Sequence, residues 1–197
     1  RRIALDLVTP FRTSFGTETH RDILLLRIVT DAGEGWGECV SGDEPAYSPE
    51  SVNGSALVIT EHFWPKLVAA GDLAAADVAT ALGRYKGHPM SKAAIEMALL
   101  DAELRATHTT LHQRFGAHRD RVPSGVSVGI FDSIDELLRQ VQGYVDDGYV
   151  RIKLKIEPGW DLEPVRLVRE LIGPDMPLQV DANTAYERAD IAHLCKL

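Results

Sequence analysis

Residues 150–156 read VRIKLKI, and this stretch decides the fold because polar and apolar side chains alternate along it. Successive residues of a β-strand point to opposite faces, so Lys153 and Lys155 share one face while the aliphatic side chains share the other. A Pro-Gly pair follows, and then a helical pattern that begins near Asp161 and ends at Gly173. The stretch therefore predicts a strand followed by a helix.

The same strand-helix unit occurs on both sides of this stretch. A strand is predicted at residues 125–130, followed by a helix that Ser133 caps, and a further strand is predicted at residues 178–183. The spacing from Ser127 to Lys153 nearly equals the spacing from Lys153 to Asp181. A repeat of this kind predicts parallel strands whose aliphatic face packs under helices.

The amino-terminal region follows a different pattern. Residues 22–30 and 34–40 predict a hairpin, and the glycines of the second strand are interpreted as hairpin glycines. Residues 51–82, interrupted by Pro65 and Gly71, and residues 91–106 predict packed helices. We therefore predict two domains, an α+β domain at residues 1–122 and an α/β domain at residues 123–197.

The composition limits the classes of function. With 45% hydrophobic and 25% charged residues the chain is typical of folded globular proteins, and its net charge of −8 argues against binding to nucleic acid or to an anionic membrane. The apolar run at residues 23–29 is far shorter than the roughly 20 residues of a membrane span. Its two cysteines fit no disulfide or metal spacing, so we expect a cytoplasmic protein.

Polar residues converge on one face of the predicted parallel strands. That face carries Lys153 and Lys155 on one strand and Gln179, Asp181 and Asn183 on the next. On the strand before, it carries the small residues Gly125, Ser127 and Gly129, which we expect to leave space for a ligand. A lysine near a second cation in a desolvated pocket can act as a base, and carboxylates suit Mg²⁺. The alternatives are protective lysines on an exposed edge strand and a structural aspartate at a strand end.

Seven motifs across the chain resemble the enolase superfamily, in particular its o-succinylbenzoate synthase and N-acylamino acid racemase branch. They are PFRTSFG at residues 10–16, GWGEC at 35–39, KGH at 86–88, EMA at 96–98, VSVGI at 126–130, GYVRIKLKIEPGWD at 148–161 and VDANTAY at 180–186. The resemblance implies an α+β capping domain followed by the first three βα units of a modified (β/α) TIM-type barrel. The last predicted helix, opening near Asp190, has no terminating signal before Leu197, so we expect a truncated chain.

The resemblance also implies roles for individual residues. Lys155 would be an acid/base lysine with Lys153 as its electrostatic neighbour, and Asp181 would be the first of three carboxylate ligands to Mg²⁺, for which Mn²⁺ or another divalent cation could substitute. The predicted substrate-binding residues are Phe11, Phe15, Ser127 and Asn183. The other two metal carboxylates and the opposing lysine would lie beyond Leu197, so the chain alone is expected to be inactive.

The implied reaction is a Mg²⁺-dependent syn dehydration through an ene-diolate, which forms o-succinylbenzoate in menaquinone biosynthesis. The alternative is racemisation of an N-acylamino acid such as an N-succinylamino acid by two-base proton transfer. Gly42 favours the dehydratase, because racemising relatives often carry a bulkier apolar residue there. A small carboxylate substrate and a homo-oligomer are expected. From a different class, the third hypothesis is a non-catalytic half barrel that pairs with another chain.

Overall fold

The computed structural model describes residues 1–197 and divides into two compact units. The first unit comprises Arg1–Asp6 and His20–His118, and the second comprises Leu7–Thr19 and Arg119–Leu197. This division differs from the expected domains chiefly at Leu7–Thr19, which groups with the second unit although it lies near the amino terminus. The domain boundary at residue 122 stays a prediction.

A three-stranded sheet opens the chain. Its strands are β1 (Arg2–Thr13), β2 (Gly16–Thr30) and β3 (Gly33–Cys39), in the order β1-β2-β3. β2 and β3 pair antiparallel, which confirms the predicted hairpin. Sequence reasoning did not predict β1, since most of its residues are exposed and the regular alternation that marks a half-buried strand is absent.

Helices make up the rest of the first unit. They are α1 (Val52–Val58), α2 (Trp64–Ala70), α3 (Val78–Ala81), α4 (Pro89–Ala106) and α5 (Leu111–Arg114). A π-helical turn, Ile59–Phe63, joins α1 directly to α2. The expected interruption of the helix at Pro65 is therefore absent. Proline lacks an amide hydrogen and crowds the preceding turn, and the wider π turn accommodates both effects.

Helix α4 packs very closely on β3. A β-carbon at Gly37 would lie 2.0 Å from the carbonyl oxygen of Ala94, and one at Gly35 would lie 2.1 Å from that of Ala98. Both glycines lie in the predicted hairpin, as interpreted, and the contact between strand and helix is the reason that neither position can carry a side chain. Gly33, with φ of 141°, is the glycine that the hairpin turn requires.

The second unit contains the parallel strands. Its elements are β4 (Gly125–Val128), α6 (Ile134–Asp146), β5 (Arg151–Lys155), α7 (Leu162–Ile172), β6 (Leu178–Asp181) and, after a 3₁₀ turn at Arg188–Asp190, α8 (Ile191–Leu194). The sheet order is β4-β5-β6 and both pairings are parallel, as predicted.

The aliphatic face of β5 forms the core of the second unit. Ile152, Leu154 and Ile156 are buried against residues of α6 and α7, including Val141 and Val168. This burial fixes the register of β5, because a slip by one residue would turn the lysines into the core. None of the helices in the chain combines the length and the apolar character that crossing a bilayer requires.

Candidate active site

Two lysines and an aspartate meet at the carboxyl ends of β5 and β6. Lys155 lies opposite Asp181 in the parallel register. The Nζ atom of Lys155 donates to Oδ2 of Asp181 at 2.8 Å, and Nζ of Lys153 donates to the same oxygen at 3.2 Å. The structure therefore brings together the three residues on which the predicted chemistry depends, and the lysines do not lie on an exposed edge.

Asn183 completes this polar cluster. Its side-chain oxygen accepts a hydrogen bond from Nζ of Lys155 at 2.6 Å, while its main-chain N–H donates to Oδ1 of Asp181 at 3.0 Å. Both Asn183 and Thr184 have left-handed backbone conformations, with φ of 46° and 67°. Asparagine tolerates this region but a β-branched residue rarely adopts it, so the turn after β6 is strained at Thr184.

The surroundings of the two lysines differ. The side chain of Lys155 is 9% exposed and that of Lys153 is 31% exposed. The hydrogen bond from Lys155 lowers the pKa of Asp181 to about 2; burial opposes this, while the Asn183 N–H and Lys153 reinforce it. Asp181 is therefore a carboxylate at neutral pH, and Lys155 is the lysine held more firmly in the interior.

The strand beside the lysines carries an unpaired polar group. Ser127 lies opposite Lys153, and its hydroxyl is buried with no hydrogen-bond partner. Buried polar groups are rarely left unpaired, so a hydroxyl of this kind next to a polar cluster is available to a ligand or to water.

The small residues on either side of Ser127 have a different explanation from the predicted one. A β-carbon at Gly125 would lie 2.5 Å from Nε of Arg151, and one at Gly129 would lie 3.1 Å from the main-chain oxygen of Arg12. The expectation that these glycines leave room for a ligand was wrong, because neighbouring protein atoms fill the space.

Of the two predicted phenylalanines, Phe11 lies near the end of β1 and Phe15 on the turn between β1 and β2, both within the second unit. Phe11 is partly buried, and its ring lies 3.5 Å from the position that a β-carbon on Gly129 would take. Phe15 is half exposed. The structure thus places Phe11 beside the end of β4, and substrate contact by either residue stays a prediction.

The end of β1 and the turn after it are attached to the ends of the parallel strands by contacts that sequence reasoning missed. The main-chain oxygen of Arg12 accepts from the Ile130 N–H at 3.0 Å, and its guanidinium bonds Asp132 and Glu157, each at 3.0 Å. Ser14 donates to the main-chain oxygen of Ala182 at 2.8 Å. These partners lie more than a hundred residues apart in the chain, and no local pattern relates them.

A second polar cluster lies around Asp161, which caps α7 as predicted. This buried carboxylate accepts from the Leu162 N–H at 2.7 Å and from the Tyr186 hydroxyl at 2.6 Å, and Nε2 of His193 lies 2.6 Å away. Burial alone would raise the pKa of Asp161, but these hydrogen bonds outweigh it and hold the pKa below its usual value. Burial and the Asp161 carboxylate raise the pKa of Tyr186.

The fit to Mg²⁺ can be judged from the donor atoms. Asp181 offers one ionised carboxylate, the ligand type that Mg²⁺ prefers. The side-chain oxygen of Asn183 already accepts from Lys155, and the chain contains no cluster of three or more His, Cys, Asp or Glu side chains arranged for a metal. Asp181 thus fits as one carboxylate ligand of such an ion.

Comparison with known protein families decides the relationship. Residues 2–116 match the model of the mandelate racemase / muconate lactonizing enzyme N-terminal domain, and residues 136–197 match that of the enolase C-terminal domain-like family. The chain belongs to the enolase superfamily. The resemblance of the sequence motifs is thereby confirmed, as is the expected combination of an α+β part with parallel βα units.

Individual relatives within the superfamily carry two kinds of name. The chain is 57% identical to an N-succinylamino acid racemase from Amycolatopsis sp, over 100% of this chain and 54% of the relative. It is 39% identical to an o-succinylbenzoate synthase from Enterococcus faecalis, over 100% of this chain and 53% of the relative. A solved enolase-superfamily protein from Listeria innocua matches with a TM-score of 0.92 at 33% identity, over 100% of this chain and 53% of that one. The chain thus spans about half the length of the curated relatives it matches.

Proposed function

We propose that the natural protein containing this chain removes a proton from the carbon next to a carboxylate in a small substrate, with Lys155 as the base. The observation that supports this most directly is the Lys155–Asp181 pair at 2.8 Å, where a buried amine lies beside a carboxylate. A lysine needs a nearby group that keeps it in place and a site sheltered from water in order to act at a carbon acid.

The residues of this cluster would divide the work. Nζ of Lys155 would accept the proton and return it, while Lys153, which bonds the same oxygen of Asp181, would act as its electrostatic neighbour. Asp181 would supply a carboxylate oxygen to Mg²⁺, which enolase-superfamily proteins generally use. When bound, the metal stabilises the negative charge that develops on the substrate carboxylate.

The fate of the intermediate distinguishes two reactions. Racemisation of an N-succinylamino acid is supported by the racemase that shares 57% of its residues with this chain. Dehydration to o-succinylbenzoate, the activity that the sequence favoured, is supported by the synthase at 39% identity. Because both reactions begin with the same proton abstraction, we propose that one site serves both, in a cytoplasmic homo-oligomer.

The proposal is tested with the full natural protein and Mg²⁺. Nuclear magnetic resonance in D₂O should show exchange of the α-proton of an N-succinylamino acid, and an absorbance assay should show o-succinylbenzoate formation. Removal of divalent cations by chelation should abolish both signals, and adding Mg²⁺ back should restore them. A folded protein that gave neither signal with Mg²⁺ or Mn²⁺ would contradict the proposal and favour a non-catalytic role.

A further inference from the structure

The end of β1, together with the turn that follows it, crosses the ends of all three parallel strands. We call residues 11–15 the hairpin tip. Its main chain bonds Ile130 after β4, its arginine reaches Glu157 after β5, and its serine bonds Ala182 after β6. The polar cluster lies at these same strand ends, so the hairpin tip and the cluster share one edge of the sheet.

The two ion pairs of Arg12 are unequal. Asp132 is 93% exposed at its side chain, and an ion pair with so exposed a partner contributes little. Glu157 is 23% exposed and follows Lys155 by two positions, so its pair with Arg12 is the better shielded one. A guanidinium can bond both carboxylates at once because its donors point in several directions, whereas a lysine ammonium cannot span the same two partners with the same geometry.

The contact of Ser14 extends the hairpin tip to the strained turn after β6. Its hydroxyl bonds the main-chain oxygen of Ala182, which lies between Asp181 and Asn183. Asn183 in turn accepts from Lys155. The position of the hairpin tip is therefore coupled to the main chain that presents two members of the polar cluster.

From these contacts we infer that Arg12 is a positioning residue: through Glu157 it fixes the hairpin tip on the strand ends and so sets the wall against which the substrate binds. This inference rests on the proposed function. The wall consists of Phe11, beside β4, and the main chain around Ser14. Arg12 itself does not take part in proton transfer, so its loss acts on substrate binding more than on the chemical step.

Kinetics of the full natural protein test this role. Arg12→Ala should raise KM for the N-succinylamino acid about tenfold while changing kcat by less than about threefold, because the hairpin tip must then be ordered at each binding event. Arg12→Lys should give an intermediate KM. The matched control is Arg2→Ala, which removes an arginine that bonds Asp22 and Asn53 in the first unit and should leave KM unchanged. An equal KM for Arg12→Ala and the unsubstituted protein would overturn the inference.

Amide hydrogen exchange provides a readout that does not depend on turnover. Arg12→Ala should speed exchange in peptides covering residues 11–15 and at the Ile130 amide, and should leave the buried strand β5 unchanged. Unchanged exchange at the hairpin tip would overturn the claim that Arg12 holds it. Absence of turnover in the unsubstituted protein would overturn the proposed function and the effect on KM, while the exchange data would still decide whether Arg12 anchors the tip.

Discussion

Lys155 and Asp181 lie opposite each other on neighbouring parallel strands, and the ammonium of the lysine bonds the carboxylate at 2.8 Å. The register makes this contact unavoidable, because residues paired across parallel strands point to the same face of the sheet. The candidate base and the candidate metal ligand are therefore neighbours because of the strand register. A substitution at either residue removes a charged partner of the other.

Removing the charge of Asp181 should weaken the binding of Mg²⁺. In the full natural protein, Asp181→Asn should raise the Mg²⁺ concentration that gives half-maximal turnover by about tenfold or more, since the amide is a poorer ligand for a hard cation than a carboxylate. Asp175→Asn, at an exposed loop position, is the control and should leave the Mg²⁺ titration unchanged. The same Mg²⁺ dependence in both variants would argue against Asp181 as a ligand.

The cluster around Asp161 should make stability depend on pH. Its carboxyl has a lowered pKa in the folded chain, so it stabilises the fold above its unfolded pKa, near 3.9, and this contribution is lost as the pH falls below that value. Asp161→Asn should therefore lower the free energy of unfolding by about 2 kcal/mol at pH 7, and by less at pH 3. Urea denaturation at the two pH values measures this difference.

Asp175→Asn is the control for the Asp161→Asn experiment. Asp175→Asn changes an exposed carboxyl in the same unit and should leave the unfolding free energy nearly unchanged at both pH values. If Asp161→Asn cost the same at pH 3 as at pH 7, the hydrogen bonds to its ionised form would not be the source of its stabilising effect.

Two glycine substitutions should have opposite effects on stability. Gly37→Ala places a β-carbon 2.0 Å from the main-chain oxygen of Ala94, so it should destabilise the fold by about 1–3 kcal/mol or more. Gly143→Ala adds the same methyl group on helix α6, where no atom beyond the helix's own neighbouring backbone lies within 4 Å, and should stabilise the fold by about 0.5–1 kcal/mol. Thermal denaturation of both variants tests the close packing of α4 on β3, and similar melting temperatures would contradict it.

The alternation of polar and apolar residues along the strands accounts for most of what the sequence could predict. The residues of β5 alternate strictly, and this pattern alone placed Lys153 and Lys155 on one face and predicted their meeting with Asp181 on the next strand. Strand β1 could not be predicted in this way, since its exposed residues leave no periodic signal. Propensity was also misleading at Pro65, where the π turn preserves the helix.

Contacts between distant segments were beyond local patterns. The glycines at positions 35 and 37 are explained by a helix about sixty residues further along, and the bonds of Arg12 and Ser14 join segments separated by more than a hundred residues. The Asp161 cluster could be predicted only in part. The helix cap that Asp161 provides is a local feature, whereas its contact with His193 joins distant parts of the chain.

Replacement of Lys155 shows whether this lysine removes the α-proton. The measurement is the rate at which the α-proton of an N-succinylamino acid exchanges with D₂O in the presence of Mg²⁺, for the full natural protein and for Lys155→Met, with the exposed Lys66→Met as control. With each enantiomer measured separately, Lys155→Met should slow exchange of the enantiomer whose α-proton faces Lys155 by about a thousandfold, in the range of general-base contributions, and Lys66→Met should leave the exchange of both unchanged. Exchange of both enantiomers in Lys155→Met within about threefold of the unsubstituted protein would contradict the assignment of Lys155 as the base.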